Sequence, residues 1–585
     1  MDSRLYNKIL VERNIAIPMR DGIILRADVY RPEASHAFPA IIARLPYNKD
    51  ALLLQSFEIE AVRAAEAGYA VVYQDTRGRY QSEGQFYPFI NEGDDGFDTI
   101  EWVASQPWCS GAVGMTGASY IGATQWLAAA KNPPHLKAIF PFVTGSDFYE
   151  GWTYQGGAFQ LGFTLFWTMR DLASEEARRL ESKGIAPKGT AEKLMRASDA
   201  MLEYGHLPLL ELPFLKDTNS GAYYYHWLQN SVNNDYWKKI SIKEQYKNIS
   251  VPAYNVGAWH DIFLLGTLEN YLGMKKLGAT DLAKTGQRLL IGPWAHGAFS
   301  GTFPEYNYGI FSSAGAVDLT TLQLHYFDYY LKDIDNGLCD EPPVRIFVMG
   351  KNEWRLENEW PLARTNYEKW FFHSDGNSGL EAGFLSRDLP LDETYDTYVY
   401  DPNDPVPTIG GPTLLQGVEI GANSGPRDQR ENEKRKDVLT YTSQILQKPL
   451  EVTGPLKAML YASSSAIDTD FVVKLCDVFP DGTSRLLAEG ILRSRFREGY
   501  EKEVFLKPDE ISVFPVNLVA TSNVFMPGHR IRIDVTSSSY PRFDCNANSG
   551  KKIGTDRIED RVTARQKIFH DSNHPTHILL PVIRN

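Results

Sequence analysis

The chain has 585 residues, of which 43% are hydrophobic and 23% are charged, and its formal net charge is −13. This length exceeds what one hydrophobic core supports, so we expect about two to four domains. The acidic balance argues against a nucleic-acid-binding protein, and the four scattered cysteines favour neither a disulfide framework nor a zinc site.

The first part of the chain alternates strand and helix patterns. Residues 9–18 and 22–30 predict a hairpin around a turn at 19–22. Further strands are predicted at 38–44, 69–74, 113–116, 136–143, 250–257 and 287–292, and helices at 52–66, 94–104 and 267–276. This alternation predicts an α/β sheet, whose ligands bind at the carboxyl ends of the strands.

The α/β pattern is interrupted between residues 146 and 249. This stretch is first rich in aromatic residues and then strongly helical, with helices predicted at 171–183 and 190–204. The sequence therefore predicts a helical insertion, with the sheet formed by residues 1–145 and 250–345.

Residues 346–585 have a different character. Short runs that alternate apolar and polar residues are separated by Gly, Pro, Asn and Asp, which is typical of a β-sandwich or jelly roll. The predicted strands are 344–349, 368–373, 395–400, 438–442, 456–462, 471–478, 484–492 and 530–537. The polar stretch 422–436 predicts a long solvated loop.

The strand at 113–116 leads into a candidate nucleophile. Gly117-Ala118-Ser119 forms a tight turn before an alanine-rich helix, which is the arrangement of a nucleophile elbow. Small neighbours let the strand and the helix approach closely, although the second glycine of G-x-S-x-G is displaced to Gly122. A serine packed in an ordinary strand-to-helix turn is the alternative.

An activated serine needs a base and an acid that orients the base. Asp261 and His296 each follow a predicted strand, in the order serine, aspartate, histidine that α/β-hydrolases use. His260 is a rival base, but a base and an acid that are adjacent on one loop are poorly placed to point at each other, so we favour His296. A helix N-cap is the alternative role for Asp261.

An oxyanion intermediate needs hydrogen-bond donors. The backbone N–H of Tyr120 follows the serine, and the Tyr47 phenol lies after the third strand. Packing beside Pro46 is the alternative for Tyr47. Asp75 also follows a strand, and we interpret it as a structural partner of Arg77 or Arg79.

A substrate pocket is expected to be lined by aromatic residues, with core packing as the alternative for each one. The candidates are Trp152, Phe159, Phe163, Trp167, Trp259, Phe263 and Trp294.

Several motifs occur together and in order along nearly the whole chain. They are Arg44-Leu-Pro-Tyr47, Asp75-Thr-Arg-Gly78, Ser82-Glu-Gly84, Gly117-Ala-Ser-Tyr-Ile-Gly122, Gly292-Pro-Trp-Ala-His296, Asp468-Thr-Asp470-Phe471, Asp477-Val-Phe-Pro-Asp-Gly482 and Pro527-Gly-His-Arg530. In these motifs the chain resembles the cocaine esterase-like (CocE/NonD) hydrolases of the X-Pro dipeptidyl-peptidase superfamily.

The resemblance implies an α/β-hydrolase domain with an inserted helical cap and a C-terminal jelly roll. It also implies that Ser119, Asp261 and His296 form a triad, with Tyr47 and Tyr120 as the oxyanion hole. Members of the family hydrolyse esters or amides whose acyl group occupies an apolar pocket. The similar amino acid ester hydrolases carry acidic residues after the triad aspartate, where this chain has Ile262-Phe263-Leu264, which argues against an α-amino ester. Asp147 and Glu150, near the start of the insertion, are an alternative source of such a charge, but we interpret them as a solvated pair.

We therefore expect a serine hydrolase that cleaves a small acyl ester or amide through an acyl-enzyme on Ser119, without a metal or cofactor. The alternatives are a proline-specific dipeptidyl peptidase and a jelly-roll binding protein with an inactive hydrolase domain. The N-terminus has no apolar targeting segment, and no apolar run approaches a membrane span. A cytoplasmic protein with a small-molecule substrate and no nucleic-acid or membrane partner is expected, and a homo-oligomer is left open.

Overall fold

The computed structural model describes residues 6, 8–50, 59–201, 204–218, 220–376, 383–415 and 423–584. The predicted helix at 52–66 lies partly outside these residues, and its described part is helical over Ala61–Glu66. In the part of the chain that is described, no helix combines the length and the apolar character needed to cross a bilayer.

The first large sheet of the described chain has ten strands. They are β1 Ile9–Pro18, β2 Ile24–Pro32, β3 Phe38–Leu45, β4 Ala70–Asp75, β5 Cys109–Ala118, β6 Leu136–Phe142, β7 Tyr254–His260, β8 Arg288–Ala295, β9 Val344–Val348 and β10 Glu353–Glu357. Their order in the sheet is β1-β2-β4-β3-β5-β6-β7-β8-β9-β10. Strands β3 to β9 run parallel, with β1, β2 and β10 added antiparallel at the edges.

The burial of the central strands explains their sequences. All eight residues of β3 and all six of β4 are buried, because helices cover both faces of a parallel sheet. The helices of this region are Ala61–Glu66, Glu92–Ala104, Tyr120–Ala129, Leu264–Leu277, Asp281–Thr285, Ala314–Val317 and Leu319–Lys332, with single 3₁₀ turns at Ile310–Ser312 and Leu338–Asp340. A two-residue hairpin joins Thr302–Phe303 to Tyr306–Asn307. The predicted α/β sheet is confirmed.

One strand lies in a different sheet from the one predicted. The sequence assigned 344–349 to the C-terminal region, but Val344 and Ile346 pair in parallel with Leu289 and Ile291 of β8. The alternating pattern of β9 indicates a strand and does not tell which sheet it joins. The domain limits 1–145 with 250–345, 146–249 and 346–585 stay predictions.

The insertion between β6 and β7 is helical, as predicted. After a hairpin of Tyr154–Gln155 with Ala158–Phe159, it contains α-helices at Leu161–Phe166, Ser174–Ser182, Thr190–Asp199, Pro213–Thr218, Ala222–Gln229 and Asp235–Lys238, a π-helix at Trp167–Ala173, and 3₁₀ turns at Leu209–Glu211 and Lys243–Asn248. It packs directly on the C-terminal domain, since a Cβ added to Gly162 would lie 2.8 Å from the Pro541 carbonyl oxygen.

The C-terminal part forms the predicted β-sandwich. Its strands are β11 Thr365–His373, β12 Gly383–Ser386, β13 Asp396–Tyr400, β14 Leu439–Ser443, β15 Leu450–Ser464, β16 Asp470–Val478, β17 Ser484–Arg493, β18 Ser512–Phe525, β19 Arg530–Thr536, β20 Ala564–Phe569 and β21 His577–Ile583. Among the described residues β12 and β14 pair in parallel, and the other neighbours pair antiparallel.

The predicted solvated loop at 422–436 is wrong for its described residues. A short helix spans Arg430–Glu433, and Gln429, Asn432 and Glu433 are buried. Glu433 is paired with Arg532 at 2.5 Å, and such a partner is what allows a charged side chain to be buried. The sequence shows the charge of Glu433 but not this distant partner.

Candidate active site

Ser119 lies at the turn between β5 and the helix Tyr120–Ala129. Its backbone has φ 59° and ψ −122°, a conformation that non-glycine residues rarely adopt and that costs about 1–3 kcal/mol. The Ser119 N–H donates to the Phe142 carbonyl at 2.8 Å, which holds the turn against β6. A Cβ on Gly122 would lie 2.8 Å from Cβ of Thr144, so the displaced glycine is needed for close packing.

Three candidate residues form a continuous hydrogen-bonded chain. Ser119 Oγ lies 3.0 Å from His296 Nε2, and His296 Nδ1 lies 2.8 Å from Asp261 Oδ2. The other Asp261 oxygen accepts the Phe263 N–H at 2.6 Å, so the cap-like bond and the contact with histidine coexist. The three residues meet because β5, β7 and β8 end at the same edge of the sheet.

The rival histidine points elsewhere. His260 Nε2 lies 2.9 Å from the Tyr308 hydroxyl, and complete burial lowers the pKa of His260 to about 3. A neutral imidazole packed on Tyr308 leaves His296 as the histidine within reach of Ser119.

Both candidate oxyanion donors lie beside the serine. Trp167 Nε1 donates to the Tyr47 hydroxyl at 3.0 Å. Burial raises the pKa of Tyr47 well above its usual value, although hydrogen bonds with Trp167 and Ser119 lower it. The phenol therefore keeps its proton at neutral pH. Tyr120 begins the helix, where first-turn N–H groups have no partner within the helix. Its hydroxyl donates to Glu92 at 2.9 Å, which anchors the side chain in the core.

A cavity of about 240 Å³ opens onto Ser119 and His296. It is lined by Tyr47, Ala118, Ser119, Ile121, Val143, Phe163, Phe166, Trp167, Asp171, His296, Gly297, Phe299 and Leu414. Phe163 and Trp167 are the predicted pocket aromatics that line it. Leu414 lies between β13 and β14 in the chain, so the C-terminal part contributes to the wall.

Two predicted aromatics lie behind this wall. Trp152 and Phe263 stack with their ring centroids 4.0 Å apart, and Phe263 meets His296 edge to face at 5.1 Å. Trp152 also packs on Phe163 at 5.9 Å. They do not line the cavity, but they support the residues that do.

Three predicted pocket aromatics lie elsewhere. Phe159 packs on Tyr154 and Tyr224 in the insertion. Trp259 Nε1 donates to the Phe347 carbonyl, and Trp294 Nε1 donates to the Ser312 carbonyl, each at 2.7 Å. Trp259 and Trp294 stand near strand ends, as the sequence indicates, but the side chains of all three residues are buried in the core.

Two electrostatic interpretations are wrong. Asp75 has a structural role, but its partners are the backbone N–H groups of Lys49 and Gln81 and not an arginine. Arg77 pairs with Asp21 and Asp95. Arg79 donates to backbone carbonyls, among them that of Pro46. Asp75 therefore braces the loop that carries Tyr47.

Asp147 and Glu150 are not a solvated pair, since both are buried. Asp147 pairs with Lys243 at 2.7 Å, and Glu150 accepts the Gly156 N–H at 3.1 Å. Burial raises the pKa of Glu150 to about 8.

Leu414 and Asp171 are among the cavity residues that the sequence reasoning missed. Leu414 lies in a polar, Gly/Pro-rich stretch with no strand pattern, and Asp171 stood at the start of a predicted helix. Neither position carries a local signal, because each reaches the cavity through contacts between distant parts of the chain.

One cluster could hold a metal by its residue types. Glu433, Cys476 and Asp534 place ligand atoms within 4.8 Å of one another in the described C-terminal part. Arg532 pairs with Glu433, and the Lys474 charge acts on Asp534, so cations of the protein already balance the carboxylates. We assign no metal to it.

Comparison with known proteins matches both halves of the chain. Residues 21–298 match the X-Pro dipeptidyl-peptidase (S15 family), and residues 336–579 match the X-Pro dipeptidyl-peptidase C-terminal non-catalytic domain. Cocaine esterase from Rhodococcus sp. (strain MB1 Bresler) is 37% identical, over 98% of this chain and 99% of its own length.

Two solved structures share the fold along the entire chain. An aminopeptidase from the marine sediment archaeon Thaumarchaeota archaeon superposes with a TM-score of 0.80 at 24% identity, covering 100% of this chain and 97% of its own. An α-amino acid ester hydrolase gives a TM-score of 0.80 at 23% identity, covering 100% and 98%. With a relative this similar over nearly its full length, the chain belongs to the cocaine esterase-like (CocE/NonD) family of serine hydrolases.

Proposed function

We propose that this protein hydrolyses a small acyl ester through an acyl-enzyme on Ser119. The observation that carries the proposal is the hydrogen-bonded chain Ser119–His296–Asp261 at the end of three strands. In this mechanism His296 Nε2 takes the Ser119 proton as the serine oxygen attacks the ester carbonyl. Asp261 holds the imidazole with Nδ1 protonated and stabilises the imidazolium.

The charge of the tetrahedral intermediate then falls on the former carbonyl oxygen. The Tyr47 hydroxyl and the Tyr120 N–H donate to this oxygen, and the raised pKa of Tyr47 keeps its proton available. His296 gives its proton to the leaving alcohol, and a water activated by His296 releases the acid from Ser119. This chemistry uses no metal or organic cofactor.

The cavity supports a small acyl group. Its volume of about 240 Å³ and its apolar lining suit a short or single-ring acyl chain, whereas drug-sized ligands occupy about 300–1,000 Å³. The relative named cocaine esterase supports esters as the substrate class. A cytoplasmic location stays a prediction, and a homo-oligomer stays open.

A series of 4-nitrophenyl esters with increasing acyl length tests the proposal. We expect turnover to fall once the acyl chain is too long for the cavity. We also expect Ser119→Ala to show no turnover. Turnover retained by Ser119→Ala would contradict it.

A dipeptidyl peptidase is the second candidate, because the matching family model is that of the X-Pro dipeptidyl-peptidases. Its substrates present a free amine and a proline in place of an ester. A Gly-Pro 4-nitroanilide assay separates the two candidates: cleavage of this substrate in preference to every ester would favour the peptidase.

A further inference from the structure

An acidic side chain lines the cavity and has no role in the proposed mechanism. Asp171 lies in the π-helix Trp167–Ala173, which also carries Trp167. Asp171 is the acidic residue among the lining residues, and π-helical turns occur frequently at functional sites. No described residue donates a hydrogen bond to its carboxylate, although its backbone carbonyl accepts from Arg79.

The cations nearest Asp171 are engaged elsewhere. Arg79 donates to the backbone carbonyls of Pro46, Leu172 and Asp171 itself. Arg170 pairs with Asp199 at 3.0 Å. Both arginines act on Asp171 only through space, and burial outweighs them and raises the pKa of Asp171 to about 6.

This carboxylate is unfavourable for the hydrolysis of a neutral ester. Its charge acts on the Tyr47 phenol, which is one of the two proposed oxyanion donors. A negative charge beside a developing oxyanion raises the barrier, and an unpartnered carboxylate in an apolar cavity is itself costly. A positive charge on the substrate would relieve both effects.

The neighbouring rings favour the same kind of ligand. Phe163 and Trp167 stack with their centroids 5.6 Å apart and both line the cavity with Asp171. Aromatic faces next to a carboxylate attract alkylated ammonium groups by cation–π and Coulomb interactions.

We propose that Asp171 binds a cationic group of the substrate, so that the preferred substrates are small esters bearing an alkylammonium. The inference rests on the proposed function of Ser119 and names the substrate class of the same site. Asp171 is a specificity residue in this account and takes no part in proton transfer.

Two pairs of substrates that differ only in charge test the inference. On the acyl side, 4-nitrophenyl 4-(trimethylammonio)butanoate is compared with 4-nitrophenyl 5,5-dimethylhexanoate. On the alcohol side, acetylthiocholine is compared with S-(3,3-dimethylbutyl) thioacetate. Each pair replaces a quaternary nitrogen by carbon at nearly constant shape.

The wild type is expected to prefer the cationic member of one pair in kcat/KM. Asp171→Asn should lower kcat/KM for that member by about 30-fold or more, because it removes the carboxylate that pairs with the cation in the cavity. The same variant should hydrolyse the neutral member faster, because it removes the charge that acts on the Tyr47 phenol. The control is Asp235→Asn, the same substitution at an exposed position of the insertion. It should leave kcat/KM unchanged for both the cationic and the neutral member.

The pH dependence of the wild type gives the same test without a variant. The groups that act on Asp171 or share its cavity are Tyr47, Arg79, Arg170 and His296. Both members of a pair use His296 in the same way, so its contribution cancels in their kcat/KM ratio. The cationic preference should be present above pH 6 and decline as the pH falls through about 6, where Asp171 is protonated.

Three outcomes overturn the inference. Equal kcat/KM for both members of each pair, or an equal loss for both in Asp171→Asn, excludes a charge-specific role while ester hydrolysis by Ser119 stands. A preference that does not change with pH assigns the selectivity to the rings alone. If the wild type hydrolyses no ester in either pair or in the 4-nitrophenyl series, the proposed function fails and this inference fails with it.

Discussion

The two walls of the cavity are built in different ways. The sheet edge supplies Ser119, Asp261, His296 and Tyr47 from turns that directly follow β5, β7, β8 and β3. The opposite wall comes from the insertion, through residues 163–171, and from Leu414 of the C-terminal part. The first wall is fixed by backbone geometry, and the second by how separate parts of the chain pack.

This difference separates two kinds of role. A group at the end of a parallel strand is held within a small range of positions, as acid–base chemistry requires. A residue on a packed helix can be replaced by one of different size or charge without disturbing the sheet. We therefore expect substitutions at the sheet edge to lower kcat for every substrate, and substitutions on the other wall to change which substrate is preferred.

Ser119→Ala is the most severe test of the sheet edge. Removal of the nucleophile should lower kcat by about 10⁶-fold for all esters, leaving the slow rate that binding and the oxyanion donors provide. Steady-state kinetics with several acyl lengths measure it. A loss confined to some acyl lengths would break the distinction between the walls.

Asp261→Asn should lower kcat by about 10⁴-fold, since an amide favours the wrong imidazole tautomer. Asp477→Asn is a matched control, because Asp477 forms an Asp–His pair with His529 of the same length, 2.8 Å, outside the cavity. The control should alter thermal stability without altering kcat. Equal activity losses in both variants would assign the effect of Asp261 to folding.

Tyr47→Phe should lower kcat by about 10²–10³-fold with little change in KM, as expected for an oxyanion donor. The control is Tyr400→Phe, which removes a hydroxyl bonded at 3.1 Å to the Asn546 carbonyl in the C-terminal part. Unchanged turnover in Tyr47→Phe would remove this residue from the oxyanion hole.

Leu414→Ala tests the role of the wall opposite the sheet edge. Loss of a buried side chain that lines the cavity should shift the preference toward longer acyl chains by about tenfold, the range that one or two methylenes provide. The ratio of kcat/KM for 4-nitrophenyl hexanoate and acetate measures the shift. If kcat falls equally for both esters and this ratio does not change, Leu414→Ala behaves like a substitution at the sheet edge, and the distinction between the walls fails.

The same contrast explains what the sequence could predict. Apolar runs such as β3 and β4, and the small residues around Ser119, reflect local requirements, so the sheet and the elbow are readable from the chain. Trp259 and Trp294 were misplaced because an aromatic residue near a strand end has the same local pattern whether it faces the cavity or the core. The sheet of Val344–Val348 and the cavity position of Asp171 depend on contacts between distant residues, which a pattern in one sequence does not record.

The central claim is that Ser119 is the nucleophile, and covalent labelling with a fluorophosphonate followed by peptide mass spectrometry tests it most directly. The account predicts one phosphonyl group per chain, on the peptide that contains Ser119, with loss of esterase activity in proportion to labelling. A label on another residue, or esterase activity that survives complete labelling of Ser119, would contradict it.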